Sequence, residues 1–258
     1  MFNKLVPIFF LAILWGACNQ TNPDEQDVLE TTDLSVIEFD EDNIIAACLA
    51  KINVPLSDAT VSLKRAHLND DEFLDAYISV NLAKRAQQDF ENSSNPAMFE
   101  DLGFLGNYNY LFVWDGETKK IGRPYLIASN ALEELSVEEH HLLDPGYKTL
   151  SAIYRVRSSV FEIFFRYLNG NIIPVFSYKI MDEIGTNNPE AFVKKIVDNP
   201  TQIQRDIIIY EASIPGYSPE KAIQNRNYYP YDNLEAKPVV VNRFFFEKTL
   251  GKYATESF

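Results

Sequence analysis

Oxygen-bearing and imidazole side chains that could bind a cation concentrate in two short stretches of this sequence. The first is His67-Leu68-Asn69-Asp70-Asp71-Glu72-Phe73-Leu74-Asp75-Ala76. Alternate residues of a tight loop can converge their oxygens on one hard cation, calcium above all. The same residues also suit a turn in which Asp71 and Asp75 accept hydrogen bonds from loop amides and no metal is needed. The second stretch is Glu138-Glu139-His140-His141 with Asp144, holding two of the three histidines. These are zinc-ligand types, but neighbouring residues point in different directions and the spacing lacks the HExxH pattern that puts two imidazoles on one helical face. It reads as an exposed polar turn before Pro145-Gly146.

Other chemistry is thinner. Ser218 in Gly216-Tyr217-Ser218-Pro219-Glu220 has half of a nucleophile elbow, yet a capping serine followed by proline is first of all a helix start. No phosphate-cradling glycine motif occurs. Paired carboxylates for glycoside hydrolysis are defined by distance in space, which linear spacing does not reveal. Tyr228, Tyr229 and Tyr231 in the run NYYPYDN could stack on a sugar or peptide, each with a flat apolar face and a polar tip, or form a core edge under their own loop.

The first stretch resembles the D-x-N-x-D-G-x-x-D-A calcium loop of FG-GAP and VCBS-type repeats, in degenerate form. That resemblance implies Asn69, Asp71 and Asp75 as side-chain ligands, the Phe73 carbonyl as a fourth, and a strand directly after the loop. His67 stands where the first acidic ligand belongs and Glu72 where the glycine belongs. At the N-terminus, Lys4 and the apolar run Leu5 to Trp15 lead into Gly16-Ala17-Cys18. The run is shorter than the roughly 20 residues of a membrane-spanning helix and reads as a signal peptide. Its end resembles the lipobox of bacterial lipoproteins, with Trp15 at the position usually held by leucine. The resemblance implies cleavage before Cys18, lipid on that cysteine, and an anchor most often in the outer membrane, on its periplasmic or surface face. Ordinary secretory cleavage nearby is the alternative.

Residues 18–38 follow as an acidic, apolar-poor tether that cannot bury enough surface to fold. The formal charge of −14 argues against nucleic acid and anionic lipid surfaces as partners and favours cations or basic groups. With Cys18 lipidated, Cys48 has no disulfide partner and belongs to a helix face.

The remainder, 39–258, reads as one β-rich domain, with 183–258 as a candidate subdomain. A helix from Asp42 carries Ile45, Cys48, Leu49 and Ile52, capped by Asp42 or Asp40. Strands are expected over 59–66, from Leu74 to Asn81 with one buried face, over 108–114, near 121–128, and then over 150–157, 160–168 and 172–180 as a meander turned at Asn169-Gly170. Residues 81–106 read as loop. A second helix is bracketed by Asn188-Pro189 and Asn199-Pro200, before strands at 204–211 and 239–248. The fold class is α+β, mainly antiparallel hairpins, sandwich- or blade-like, with an N-terminal helix and one or two more. Function is expected to be non-enzymatic binding or structure in the cell envelope, with a protein or glycan partner. The alternatives are a secreted hydrolase using paired carboxylates and a subunit of an outer-membrane assembly.

Overall fold

The first helix runs Glu41–Lys51 (α1) in the computed structural model, which describes residues 38–224, 228 and 230–255. Asp40 is the cap: its carboxylate accepts the Asn43 amide, satisfying one donor that the first turn leaves unpaired. Ile44, Cys48 and Leu49 face inward. Burial pushes the Cys48 thiol up to about 12, so it is core and not a nucleophile.

Behind α1 lies an antiparallel sheet of β1 (Thr60–Ala66), β2 (Asp75–Asn81), β3 (Leu105–Asp115), β4 (Lys120–Ile121) and β5 (Tyr125–Asn130), with β4 and β5 both pairing with β3. A second sheet is an eight-stranded meander in sequence order: β6 (Ser136–His140), β7 (Thr149–Val156), β8 (Ser159–Leu168), β9 (Asn171–Asp182), β10 (Glu190–Val197), β11 (Asp206–Ser213), β12 (Glu235–Glu247) and β13 (Lys252–Thr255). The α+β class with antiparallel sheets is as the hydrophobic patterning implies.

The packing is layered. Ala76, Ile78, Val80, Phe112 and Trp114 meet α1. From the opposite face of that sheet, Tyr77, Leu111, Val113 and Ile127 meet Leu150, Ala152 and Phe165 of the second. β2 is therefore buried on both faces, not one. Between β9 and β10 only Asp182–Glu190 and Met181–Ala191 pair. Beyond that hinge, β10–β13 fold back over β8 and β9, bringing Ile207, Ile209 and Phe246 onto Phe164, Val175 and Phe176, with the Phe176 and Phe244 rings 4.7 Å apart. Pro174 sits inside β9, beside a register shift at Phe164/Phe165, the irregularity that lets a strand lacking one amide remain paired.

Two further expectations fail. The stretch over 81–106 holds α2 (Ala83–Glu91) and α3 (Pro96–Asp101), because Ala86, Phe90, Phe99 and Phe104 collect into a small core of their own. The bracketed helix at 188–199 is β10: Phe192 and Ile196 lie four apart, but Phe192, Lys194 and Ile196 also share one face of a strand, and β11 pairs along its length. By contrast Ser218 does cap a short helix, α4 (Pro219–Gln224), accepting the Lys221 amide.

Asn169 and Gly170 both have positive φ, the requirement of the tight turn between β8 and β9. That turn meets the first sheet at Gly122, where an added Cβ would stand 1.9 Å from the Gly170 carbonyl oxygen. Gly122→Ala is expected to lower stability by about 1–3 kcal/mol through overpacking, readable as a lower urea midpoint. An unchanged midpoint would mean that the turn yields freely.

Candidate functional site

The loop before β2 closes on itself. Asp75 is fully buried, and its two carboxylate oxygens accept the amides of Leu68 (3.0 Å) and Gly116 (2.9 Å). Asn69 Oδ1 accepts the Asp71 amide, Asp71 Oδ1 accepts the Phe73 amide, and the Asn69 amide group donates to Asp71 Oδ2. His67 Nδ1 lies 3.0 Å from the Phe73 carbonyl. The oxygens of Asn69, Asp71 and Asp75 thus already accept hydrogen bonds from backbone amides, the arrangement of a turn that holds without a metal. Millimolar calcium is expected to leave the thermal midpoint where chelator leaves it. A site filled at a hundredfold excess over Kd would instead add about 2.7 kcal/mol, so a rise of several degrees that Asp71→Ala abolishes would refute this.

A different constellation forms where β10 folds over β8. On β6, Glu138 and His140 are two apart and share a face. Glu138 stands opposite Ser151 of β7, and Glu162 of β8 opposite Tyr178 of β9. Glu162 is fully buried. Ser151 Oγ donates to its Oε1 (2.7 Å), Tyr178 shares a side-chain hydrogen bond with it, and Lys194 Nζ, arriving from β10, lies 2.8 Å from each carboxylate oxygen. His140 Nε2 is 2.8 Å from Ser151 Oγ and 3.7 Å from both Glu138 Oε2 and Glu162 Oε1. Since Ser151 gives its proton to Glu162, Nε2 carries one and donates to Ser151. Glu138, Glu139 and His140 are therefore the end of a strand, not an exposed turn. Glu139 turns to the other sheet, accepting from Tyr77, His141 meets Lys148, and Asp144 accepts the Gly146 amide.

Glu138, Glu162, Tyr178 and Lys194 of this network line a cleft of about 780 Å³ whose wall continues through Glu133, Glu134, Tyr231 and Asp232. Five carboxylates (Glu133, Glu134, Glu138, Glu162, Asp232) and a single ammonium, Lys194, line it. Burial raises the carboxyl of Glu133 despite Arg155, whose guanidinium is 3.5 Å away. Burial and then the Lys194 charge lower His140 from 6.5 to about 4, against the opposing pull of Glu162.

The His140 shift has a thermodynamic sign. Between pH 6.5 and 4 the unfolded chain binds the proton and the folded one does not, so stability is full above that window and falls as acid is added. From pH 7 to pH 5 this histidine withdraws about 2 kcal/mol. His140→Gln is expected to lose that much less than the parent in urea unfolding at the two pH values. Equal losses would show that His140 is not the group titrating.

Tyr228 turns inward, its hydroxyl accepting the Ser218 amide at 3.2 Å, while Tyr231 lines the cleft. Tyr229 and Cys18 lie outside the described residues. Sequence reasoning missed Ser151, Glu162, Tyr178 and Lys194. No family model, curated protein or solved structure matches the chain.

Proposed function

We propose that this protein is a lipid-anchored, non-enzymatic binding protein of the cell envelope, attached through Cys18, and that its ligand carries positive charge into the cleft above Glu162. The observation that carries the binding role is the cleft lining of five carboxylates against one ammonium. Walls of low polarisability, among them Ile153 and Phe192, focus that charge and strengthen its pull on a cation relative to open water. Support for the anchor is the signal-like N-terminus ending in Gly16-Ala17-Cys18. A thiol carrying two or more acyl chains does not leave a membrane.

The binding role is tested by calorimetric titration of the purified protein with spermidine at low and physiological salt, beside Glu134→Gln and Glu138→Gln. Saturable binding, weakened by each variant and by salt, is expected. Heat that is the same in all three proteins would overturn the assignment. The anchor is tested by labelling growing cells with a tagged palmitate, which the parent and not Cys18→Ser should incorporate.

Glu133 favours a second reading. A carboxyl raised by burial, in a cleft with further carboxylates, is the arrangement of a glycoside hydrolase acid. Release of reducing ends from a polysaccharide, lost in Glu133→Gln, would select that reading over binding alone.

A further inference from the structure

We infer that Glu138, His140 and Glu162 form a binding site for a divalent transition-metal ion at the floor of the cleft, with Lys194 holding the cation position until the metal displaces it. This rests on the reading that the cleft takes cations and names which one. The three side chains offer donor atoms that all lie within 4.8 Å of one another. A zinc-sized ion holds its ligands at about 2.0–2.1 Å, which places neighbouring donors in a tetrahedral shell roughly 3.4 Å apart. The 3.7 Å separations of His140 Nε2 from Glu138 Oε2 and Glu162 Oε1 thus need to close by only a few tenths of an ångström. One imidazole and two carboxylates suit zinc, manganese or ferrous iron better than calcium.

The positions in the strands make this a built arrangement. Glu138 and His140 leave β6 on the same face, and Glu162 reaches them across the single intervening strand β7. Ser151 and Tyr178 fix Glu162 from either side, as outer hydrogen bonds fix metal-ligating carboxylates elsewhere. The remaining coordination position opens on the cleft, where a water or a ligand group fits.

Lys194 marks where the cation goes. Its ammonium is 2.8 Å from both oxygens of Glu162 and 3.9 Å from Glu138 Oε2. Two carboxylates facing one ammonium leave one negative charge unbalanced, and a dication in its place cancels both. Lys194 is 20% exposed along its side chain, and its flexible stem can carry the ammonium out toward the other carboxylates of the cleft. Ligation takes the Nε2 lone pair of His140, so the imidazole proton resides on Nδ1 in the metal-bound form, while Ser151 keeps its bond to Glu162.

The test is a titration of the full chain, purified in detergent and stripped with chelator, with cobalt and with zinc. One equivalent of cobalt is expected to give the visible absorption of a low-coordinate ion, displaced by zinc. Affinity should fall at least tenfold in Glu138→Gln and in His140→Gln and stay unchanged in His141→Ala. Lys194→Met should melt below the parent in chelator and recover in zinc. Absence of stoichiometric binding to both parent and Lys194→Met overturns the inference, as does binding indifferent to Glu138 and His140. If spermidine binds and neither metal does, the metal assignment fails and the cleft reading stands. If neither probe binds, both fail.

Discussion

Glu162→Ala is expected to cost about 3–5 kcal/mol of folding stability, the range for removing one partner of a buried ion pair. The size follows from what the carboxylate receives. Ser151 Oγ, Tyr178 and Lys194 Nζ all point at it, and Ser151, fully buried, has no water to turn to. Lys194 can swing into the cleft, so the loss should sit toward the lower end. Removing both charges is a different matter: Glu162→Leu with Lys194→Met leaves no unpaired ion and should recover the share owed to the ammonium, while Ser151 and Tyr178 still lack their acceptor. Urea unfolding of the parent, Glu162→Leu, Lys194→Met and the double variant closes the cycle. A Glu162→Ala protein within about 0.5 kcal/mol of the parent, the scale of an ordinary surface change, would remove Glu162 from the centre of the site.

Glu162 also shows how far a sequence reveals a site of this kind. A single charge inside the apolar run Val160-Phe161-Glu162-Ile163-Phe164-Phe165 is a legible anomaly, because an ion in a buried strand must find a partner. Its partner is not legible. Lys194 lies 32 residues away and meets Glu162 only because β10 folds back over β8, a contact that no local spacing encodes. Glu138 and His140 needed one correct assignment: at the end of a strand they share a face, whereas in the expected turn they do not. The meander itself was legible, since its strands alternate with period two and one of its two-residue turns is Asn-Gly. Residues 188–199 were misread because Phe192 and Ile196 fit either period, and the arbiter is pairing with Ile207, Ile208 and Ile209, which is tertiary. In 81–106 only a few apolar residues face inward, so the helical period was too thin to see against Lys84, Arg85, Asp89 and Glu91.

The second large effect falls on the loop before β2. Asp75→Ala is expected to cost about 2–4 kcal/mol, because the amides of Leu68 and Gly116 both lose their acceptor in a site closed to water, at about 1–3 kcal/mol for each unsatisfied group. Those two bonds tie the start of the loop to the β3–β4 hairpin. An added Cβ at Gly116 would stand 2.6 Å from the Leu74 carbonyl oxygen, so the glycine serves this close approach and not a left-handed turn. Asp71 holds only its own loop, accepting the Phe73 amide at 2.8 Å and the Asn69 side chain. Asp71→Ala should therefore cost no more than about 1 kcal/mol, the net worth of an ordinary hydrogen bond. The ratio of the two losses separates a structural turn from a cation site. Were the loop organised around calcium, both substitutions would remove the same ion and be similarly damaging in calcium, and Asp71→Ala would cost little once chelator had removed the metal from the parent too. Chemical unfolding of both variants with and without chelator measures all four numbers. A large cost at Asp75 alone, the same in either buffer, is the expected result, because its acceptors serve the backbone and not an ion.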